Sequence, residues 1–501
     1  MTRALRIPAG HLERFADASG DRNPLHTDAK FARATPYGRC IAQGALVTIA
    51  ALAVADADTL ERVDTLHVRF TQAVFPDMDY TTSLLDSESD EVRIEVAHEG
   101  RVAVTISCTV EREAPLPRVV GESRMVLRSS AARLTVEELA AGNRSLDEPY
   151  AADLDALSSL AEELGAGHVP RSIMLWLAGA SYTVGMVVPG EDAVFVGARI
   201  ARSASERTGV LDGSVTTVDE RTGLVNLEIA LHQREASATM SLQTFLRPPV
   251  PPPDRASIGR YLAPSAELAG RNVLVVGGSR GLGAALSGSF ASQGASVWVG
   301  FARSIAHVER LRAEFGADRI HPLQFDASDP SGVGAAFTAL RGSTASLDGV
   351  VLCAAPPLYE TGLHPDSAES TLRFVHTSIA MALLPLAESL PMLSPEGWVV
   401  VLSSSAIEEP PEAWPHYVIA KSAVEGAAAY CRRFTSARVL VARAPAMWTD
   451  STNTPLARLG AVPKEQVAAA IVRWALADGD SGDEILGGAQ LTETVTEQPG
   501  T

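Results

Sequence analysis

The run LRPPVPPPDRAS at 246–257 sets the strongest limit on how this chain can fold. Pro248, Pro249, Pro251, Pro252 and Pro253 offer no backbone N–H and have a fixed φ, so neither a helix nor a central strand can pass through them. The run reads as an extended, semi-rigid spacer between two regions. A length of 501 residues is also more than one core holds, and by itself suggests about two to four domains.

After the spacer, short β-branched runs alternate with helical stretches. VLVVGG (273–278), ASVWVGF (295–301), LDGVVLCAA (347–355), GWVVVLSSS (397–405) and ARVLVARAP (437–445) are each short, largely apolar and rich in β-branched residues. Such strands are buried on both faces, which predicts an α/β doubly wound parallel sheet of Rossmann type. Before the spacer the pattern differs. DTLHVRFTQAV and VRIEVAHEGRVAVTISCTVE alternate apolar and polar residues, as half-exposed antiparallel strands do. An apolar helix, IAQGALVTIAALAVA, precedes them. The same order returns with VPRSIMLWLAGASYTV and the strands after it, giving one α+β unit twice, near 38–113 and 168–247. The acidic stretch 135–166 between them reads as a helical insertion.

The net charge of −18 argues against general nucleic-acid binding, which needs local positive charge. Cys40, Cys108, Cys353 and Cys431 have neither zinc-ligand nor redox spacing, consistent with a reduced cytoplasmic setting. The opening MTRALRIPAGHLERF lacks a signal-peptide core, and the most apolar stretch, 40–55, is too short to span a bilayer, so no membrane association is expected.

Two constellations carry chemistry. In VVGGSRGLGAAL, Gly277, Gly281 and Gly283 allow a strand to turn sharply into a helix whose N–H groups face a pyrophosphate. Downstream, Tyr417 and Lys421 of YVIAK are four apart and share a helix face, where an ammonium can lower a phenol's pKa. Ser404 ends a strand on the side where parallel sheets bind ligands. From about 268 to 491 the chain resembles the short-chain dehydrogenase/reductase family. The resemblance implies that Tyr417 donates the proton, that Lys421 binds the nicotinamide ribose, and that Ser404 holds the substrate oxygen. It places Ser279, Arg280 and Leu282 with the three glycines on the cofactor, and Asp326 beside the adenine. The end of the second strand has no carboxylate for a ribose diol but offers Arg303, with Arg280 in the turn, which favours NADPH over NADH. The chain departs from the family at Cys353-Ala354-Ala355-Pro356, at His376 in place of a catalytic Asn, and at Pro445-Ala446.

The second constellation lies in FADASGDRNPLHTDAKFARATPYGRCIAQGAL (15–46). Asp21 and His26 flank an Asn-Pro turn and can exchange protons with a β-hydroxyl and an α-carbon. Gly44 opens the apolar helix and offers an unobstructed N–H to a thioester enolate. This stretch resembles the MaoC-like, (R)-specific enoyl-thioester hydratase/dehydratase family of hotdog fold, which implies catalytic roles for Asp21 and His26. Gln43 stands where that family more often has His. With the repeat, the resemblance is to a double hotdog: a catalytic half at 1–115, a non-catalytic half at 116–247, then the linker 248–266 and the reductase domain 267–495.

The combined expectation is a bifunctional enzyme that reduces a 3-ketoacyl thioester with NADPH and dehydrates the (R)-3-hydroxyacyl product, in fatty acid or polyketide synthesis. The reverse pairing, hydration then oxidation in β-oxidation, is the alternative. A degenerate partner that docks an acyl carrier is a third. The residues leave open coenzyme A or acyl carrier protein as the thioester carrier, and family analogy suggests a homodimer.

Overall fold

Alternating burial along the first strands and continuous burial along the later ones separate the two units of the computed structural model, Met1–Pro249 and Val250–Asn453 with Gly460–Thr501. The structure describes all residues except 34, 89–90, 112–115, 117–126, 143, 235, 248, 454–458, 478–484 and 493–501. The boundary expected at 115–116, Pro248 of the spacer and the last residues of the expected reductase domain involve positions outside the described residues.

In the first unit the strands are β1 (Thr2–Arg6), β2 (Val63–Phe70), β3 (Asp79–Glu88), β4 (Glu91–His98), β5 (Arg101–Val110), β6 (Ser145–Pro149), β7 (Ala193–Arg202), β8 (Val210–Asp219), β9 (Leu224–His232) and β10 (Ala238–Leu246). They form one antiparallel sheet in the order β1-β3-β4-β5-β2-β7-β10-β9-β8-β6. Read outward from the β2–β7 pair, the two halves have the same order. Each half lays one apolar helix on the sheet, Gly44–Ala51 in the first and Arg171–Tyr182 in the second. Both helices are buried along nearly their whole length, so they lack a polar face and belong between the sheet and other helices.

The acidic stretch 135–166 is not an insertion. It supplies β6, which pairs with β8 as β1 pairs with β3, and the helix Leu154–Glu163, which corresponds to Ala9–Ser19 of the first half. Its Leu154, Leu157, Leu160 and Ala161 are buried at helical spacing while its carboxylates face out. The second repeat therefore begins near 145 rather than 168. In the first half, 20–43 separates these two helices; in the second, only 164–170 does. The second half has no room for an Asp21–His26 segment.

In the second unit β11 (Asn272–Val276), β12 (Ser296–Phe301), β13 (Ile320–Gln324), β14 (Leu347–Leu352), β15 (Leu393–Ser404), β16 (Arg438–Ala444) and β17 (Ile485–Leu486) form a wholly parallel sheet. The order is β13-β12-β11-β14-β15-β16-β17. Val273 and Val275 point into one core and Leu274 and Val276 into the other, as a strand covered on both faces requires. The order reverses between β11 and β14, and the crevice for a ligand opens at the carboxyl ends there. The later half of the proline run is anchored within this unit: the buried Lys464 donates to the Pro251 carbonyl at 3.1 Å, and Asp254 caps the helix Arg255–Gly259.

Among the described residues one helix, Pro365–Met392, is long and apolar enough by length and composition to cross a membrane. This is a longer apolar segment than 40–55, and in the fold Phe374, Ala382 and Leu386 of its Ala368–Ser389 portion are buried against the rest of the unit.

Candidate active sites

The dinucleotide turn follows β11. Gly277 has φ of 80° and Gly281 of 53°, a region that favours glycine. A Cβ on Gly277 would lie 2.8 Å from the Ala354 backbone, and one on Gly283 would lie 2.1 Å from the Gly277 carbonyl. The turn is thus a cradle that side chains would fill, and the helix Gly281–Ser292 packs down onto it. Ser279 is half-buried in the turn and Arg280 is exposed at the helix cap. Leu282 is buried in the core, so its N–H rather than its side chain faces a ligand. These residues fit a pyrophosphate. At the ends of β12 and β13, Arg303 and Asp326 are exposed. Bonds from Ser328, and then the charge of Arg303, hold the Asp326 carboxyl below its ordinary value.

Ser404 closes β15 opposite Ala444, and its hydroxyl accepts the Ala406 N–H at 3.2 Å. Tyr417 and Lys421 stand one turn apart on the helix Pro415–Phe434. The Lys421 ammonium lies 5.6 Å from the Tyr417 ring centroid and donates to the Leu402 carbonyl of β15 at 2.7 Å. The structure thus ties the Tyr–Lys helix directly to the strand that ends in Ser404. Cys353 occupies the departure after β14. Burial pushes its thiol up to about 11, against the pull of the Lys421 charge and the Gly283 N–H. His376 is exposed on the Ala368–Ser389 helix.

In the first unit Asp21 is buried behind the helix Ala9–Ser19. Its Oδ2 accepts the Ser181 hydroxyl at 2.6 Å and its Oδ1 the Asn23 N–H at 3.2 Å. Burial pushes the carboxyl above its ordinary range; His26, Ser181 and Asn23 pull it back without reversing the shift. Asn23 caps the short helix Pro24–Thr27 and sends its Nδ2 to the carbonyls of Gly185, Gly190 and Glu191. The imidazole of His26 has Nδ1 2.8 Å from the Ile41 carbonyl. A carbonyl only accepts, so Nδ1 carries a proton, and in the neutral ring Nε2 is then the acceptor. The same bond holds His26 beside the segment leading to Gly44. A Cβ on Gly44 would lie 2.5 Å from the Phe70 ring, so only glycine fits at that helix start.

Ser181 and Gly185 escape a reading of the sequence because they lie in the second repeat, which has no segment equivalent to Asp21–His26. The available signal was a pair of serines, Ser172 and Ser181, in a helix that is otherwise largely apolar and is buried after Arg171. A Cβ on Gly185 would lie 2.2 Å from Asp21 Oδ1, in a π-helical turn, Thr183–Val187, of the kind that often marks functional sites. His168 and His232 lie elsewhere, bonded to the Ala55 carbonyl and the Ser205 hydroxyl.

A reversed-order parallel sheet with a glycine cradle is a dinucleotide-binding arrangement, and here the Tyr–Lys helix stands beside its strand ends. The comparisons agree: residues 271–453 match the short chain dehydrogenase family and residues 3–107 the MaoC like domain. The chain carries both domains, which supports oxidoreductase and dehydratase activity on one polypeptide. A benzil reductase ((S)-benzoin forming) of Saccharomyces cerevisiae is 28% identical over 166 residues, 31% of this chain; the match spans 62% of that relative's length. Among solved structures, a dehydrogenase/reductase from Sinorhizobium meliloti is 20% identical over 45% of this chain and 95% of its own, with a TM-score of 0.41. An alcohol dehydrogenase from Thermococcus sibiricus, complexed with 5-hydroxy-NADP, is 20% identical over 46% of this chain and 99% of its own, with a TM-score of 0.40.

Proposed function

We propose that the chain reduces 3-ketoacyl thioesters with NADPH and dehydrates the (R)-3-hydroxyacyl product to the trans-enoyl thioester. The carrying observation is that one polypeptide holds both the Tyr417–Lys421 helix tied to the Ser404 strand and the buried Asp21 near His26, whose Nδ1 is fixed on the Ile41 carbonyl. A bound nicotinamide cofactor would supply the hydride. Arg280 and Arg303 favour the 2′-phosphate form, because no carboxylate at the end of β12 competes for a ribose diol. In this reading Ser404 holds the substrate carbonyl oxygen, Tyr417 protonates it, and Lys421 stabilises the phenolate left behind.

For the second step, His26 Nε2 removes the α-proton. Asp21, whose burial favours the protonated form, gives a proton to the departing hydroxyl in this reading, and the Gly44 N–H stabilises the enolate oxygen. The ten-stranded sheet with its two apolar helices is read as a double hotdog, catalytic in the first half and supporting in the second. Its limits are proposed at 1–115 and 116–247, followed by the linker 248–266 and the reductase domain to 495. Coenzyme A or acyl carrier protein is the carrier, fatty acid or polyketide synthesis the setting, the cytoplasm the location, and a homodimer the assembly. Tyr417→Phe and the pair Asp21→Asn with His26→Ala test the reading. The first is expected to abolish ketoreduction alone and the second dehydration alone; an intact activity in either variant contradicts the role given to that site.

A further inference from the structure

A network of charged groups outside both sets just described joins the segments that carry Ser404, Tyr417 and Lys421. Arg443 stands on β16 opposite Ser403 in the ladder. Its Nε and Nη2 donate to the two carboxylate oxygens of Glu425 at 2.9 and 2.8 Å, and its Nη1 to Glu408 Oε1 at 2.9 Å. The Ser403 hydroxyl donates to the same Glu425 Oε1 at 2.6 Å. Glu425 lies on the Pro415–Phe434 helix one turn beyond Lys421, and Glu408 follows the turn Ser405–Ile407 that Ser404 caps.

A forked guanidinium–carboxylate pair fixes angle as well as distance. This one is sheltered, with 21% and 16% of the two side chains exposed, so solvent weakens it less than an ordinary surface pair. Burial pushes Glu425 up, but its bonds to Arg443 and Ser403 outweigh that and hold it below its ordinary value. Val424, Ala428 and Cys431 pack the helix onto β15 and β16, and Lys421 adds one polar attachment at the end near Ser404. Glu425 adds a directional attachment one turn along, to both Ser403 of β15 and Arg443 of β16, which apolar packing alone does not supply.

We infer that Arg443, Glu425 and Ser403 form a brace that sets the Tyr417–Lys421 helix against the Ser404 strand end, making them positioning residues for carbonyl reduction. The inference rests on the reductase reading. Proton delivery depends on near-contact geometry, where a displacement of about 1 Å costs about 10²-fold in rate.

Arg443→Lys keeps the charge and loses the fork; Glu425→Gln keeps the shape and an acceptor for Ser403. Each is expected to lower kcat for a 3-ketoacyl thioester about 10- to 100-fold while leaving the NADPH Kd, read by fluorescence titration, within about twofold. A kcat within about threefold of wild type overturns the inference, and so does a parallel loss of kcat and cofactor affinity, which marks a purely structural pair. A second measurement needs no turnover. With 13Cζ-labelled tyrosine, the Tyr417 resonance of the NADPH-bound protein is assigned from Tyr417→Phe. It is expected to move in Arg443→Lys, and an unmoved resonance overturns the brace. A wild-type protein inert toward all 3-ketoacyl thioesters would sink the reductase reading, and the Tyr417 resonance would then decide the brace alone.

Discussion

A carboxyl enclosed by Asn23, Ser181 and Gly185 holds its proton to higher pH than an exposed aspartate would, and both its chemistry and its stability cost follow from that. The Ser181 bond favours the ionised form, so its loss raises the carboxyl further. Ser181→Ala is expected to move the alkaline limb of the dehydration pH profile upward and to lower the rate about tenfold or more, since bonds to charged groups are worth about 1.5–3 kcal/mol. A limb that stays put or moves down contradicts this. Because the folded value is raised above the unfolded one, the stability linked to this proton is present at low pH and is lost as pH rises through the folded value. Asp21→Asn removes that loss. Its Tm is expected to exceed wild type at about pH 8 and to converge with it near about pH 4; a constant Tm difference across that range refutes the account. At the other site Tyr417→Phe removes the proposed proton donor, and kcat for reduction should fall about 10²- to 10⁴-fold, measured by NADPH absorbance.

At the scale of elements, the glycine cradle makes its own prediction. Gly283→Ala drives a methyl into the Gly277 carbonyl, so the Gly281–Ser292 helix must back away from the turn. Such a shift costs about 1–3 kcal/mol, and NADPH affinity by titration should fall about tenfold or more. Unchanged affinity would mean the helix does not pack as described. The same scale shows what the sequence revealed. The parallel sheet was legible because β11, β12, β14, β15 and β16 carry apolar, β-branched runs between helical stretches. The edge strands β13 (IHPLQ) and β17 (two residues) carry none and were not legible. Tyr417 and Lys421 were legible because their spacing is local. The segment 145–163 was not, since its carboxylates mask Leu154, Leu157 and Leu160 in any average over composition. Asp21 and His26 could be named from one short motif. Ser181, by contrast, reaches Asp21 across a long loop closure that no local pattern encodes.

Across the whole molecule, the described residues form three hydrophobic cores, one against the antiparallel sheet with its two apolar helices and one on each face of the parallel sheet. Each unit holds its own candidate site. The Asp21–His26 segment has no counterpart in the second half of the ten-stranded sheet, whose Asp212–His232 pair, 3.0 Å apart, sits on strands β8 and β9. The account therefore predicts one dehydration site and one reduction site per chain, acting in sequence on the same thioester. The most direct test supplies purified protein with NADPH and a short 3-ketoacyl thioester, following cofactor absorbance and product mass together. The account predicts stoichiometric loss of NADPH with appearance of the enoyl thioester. Cofactor loss that stops at the hydroxyacyl thioester contradicts the dehydratase half, and no loss of NADPH on either coenzyme A or carrier-protein thioesters contradicts the central claim.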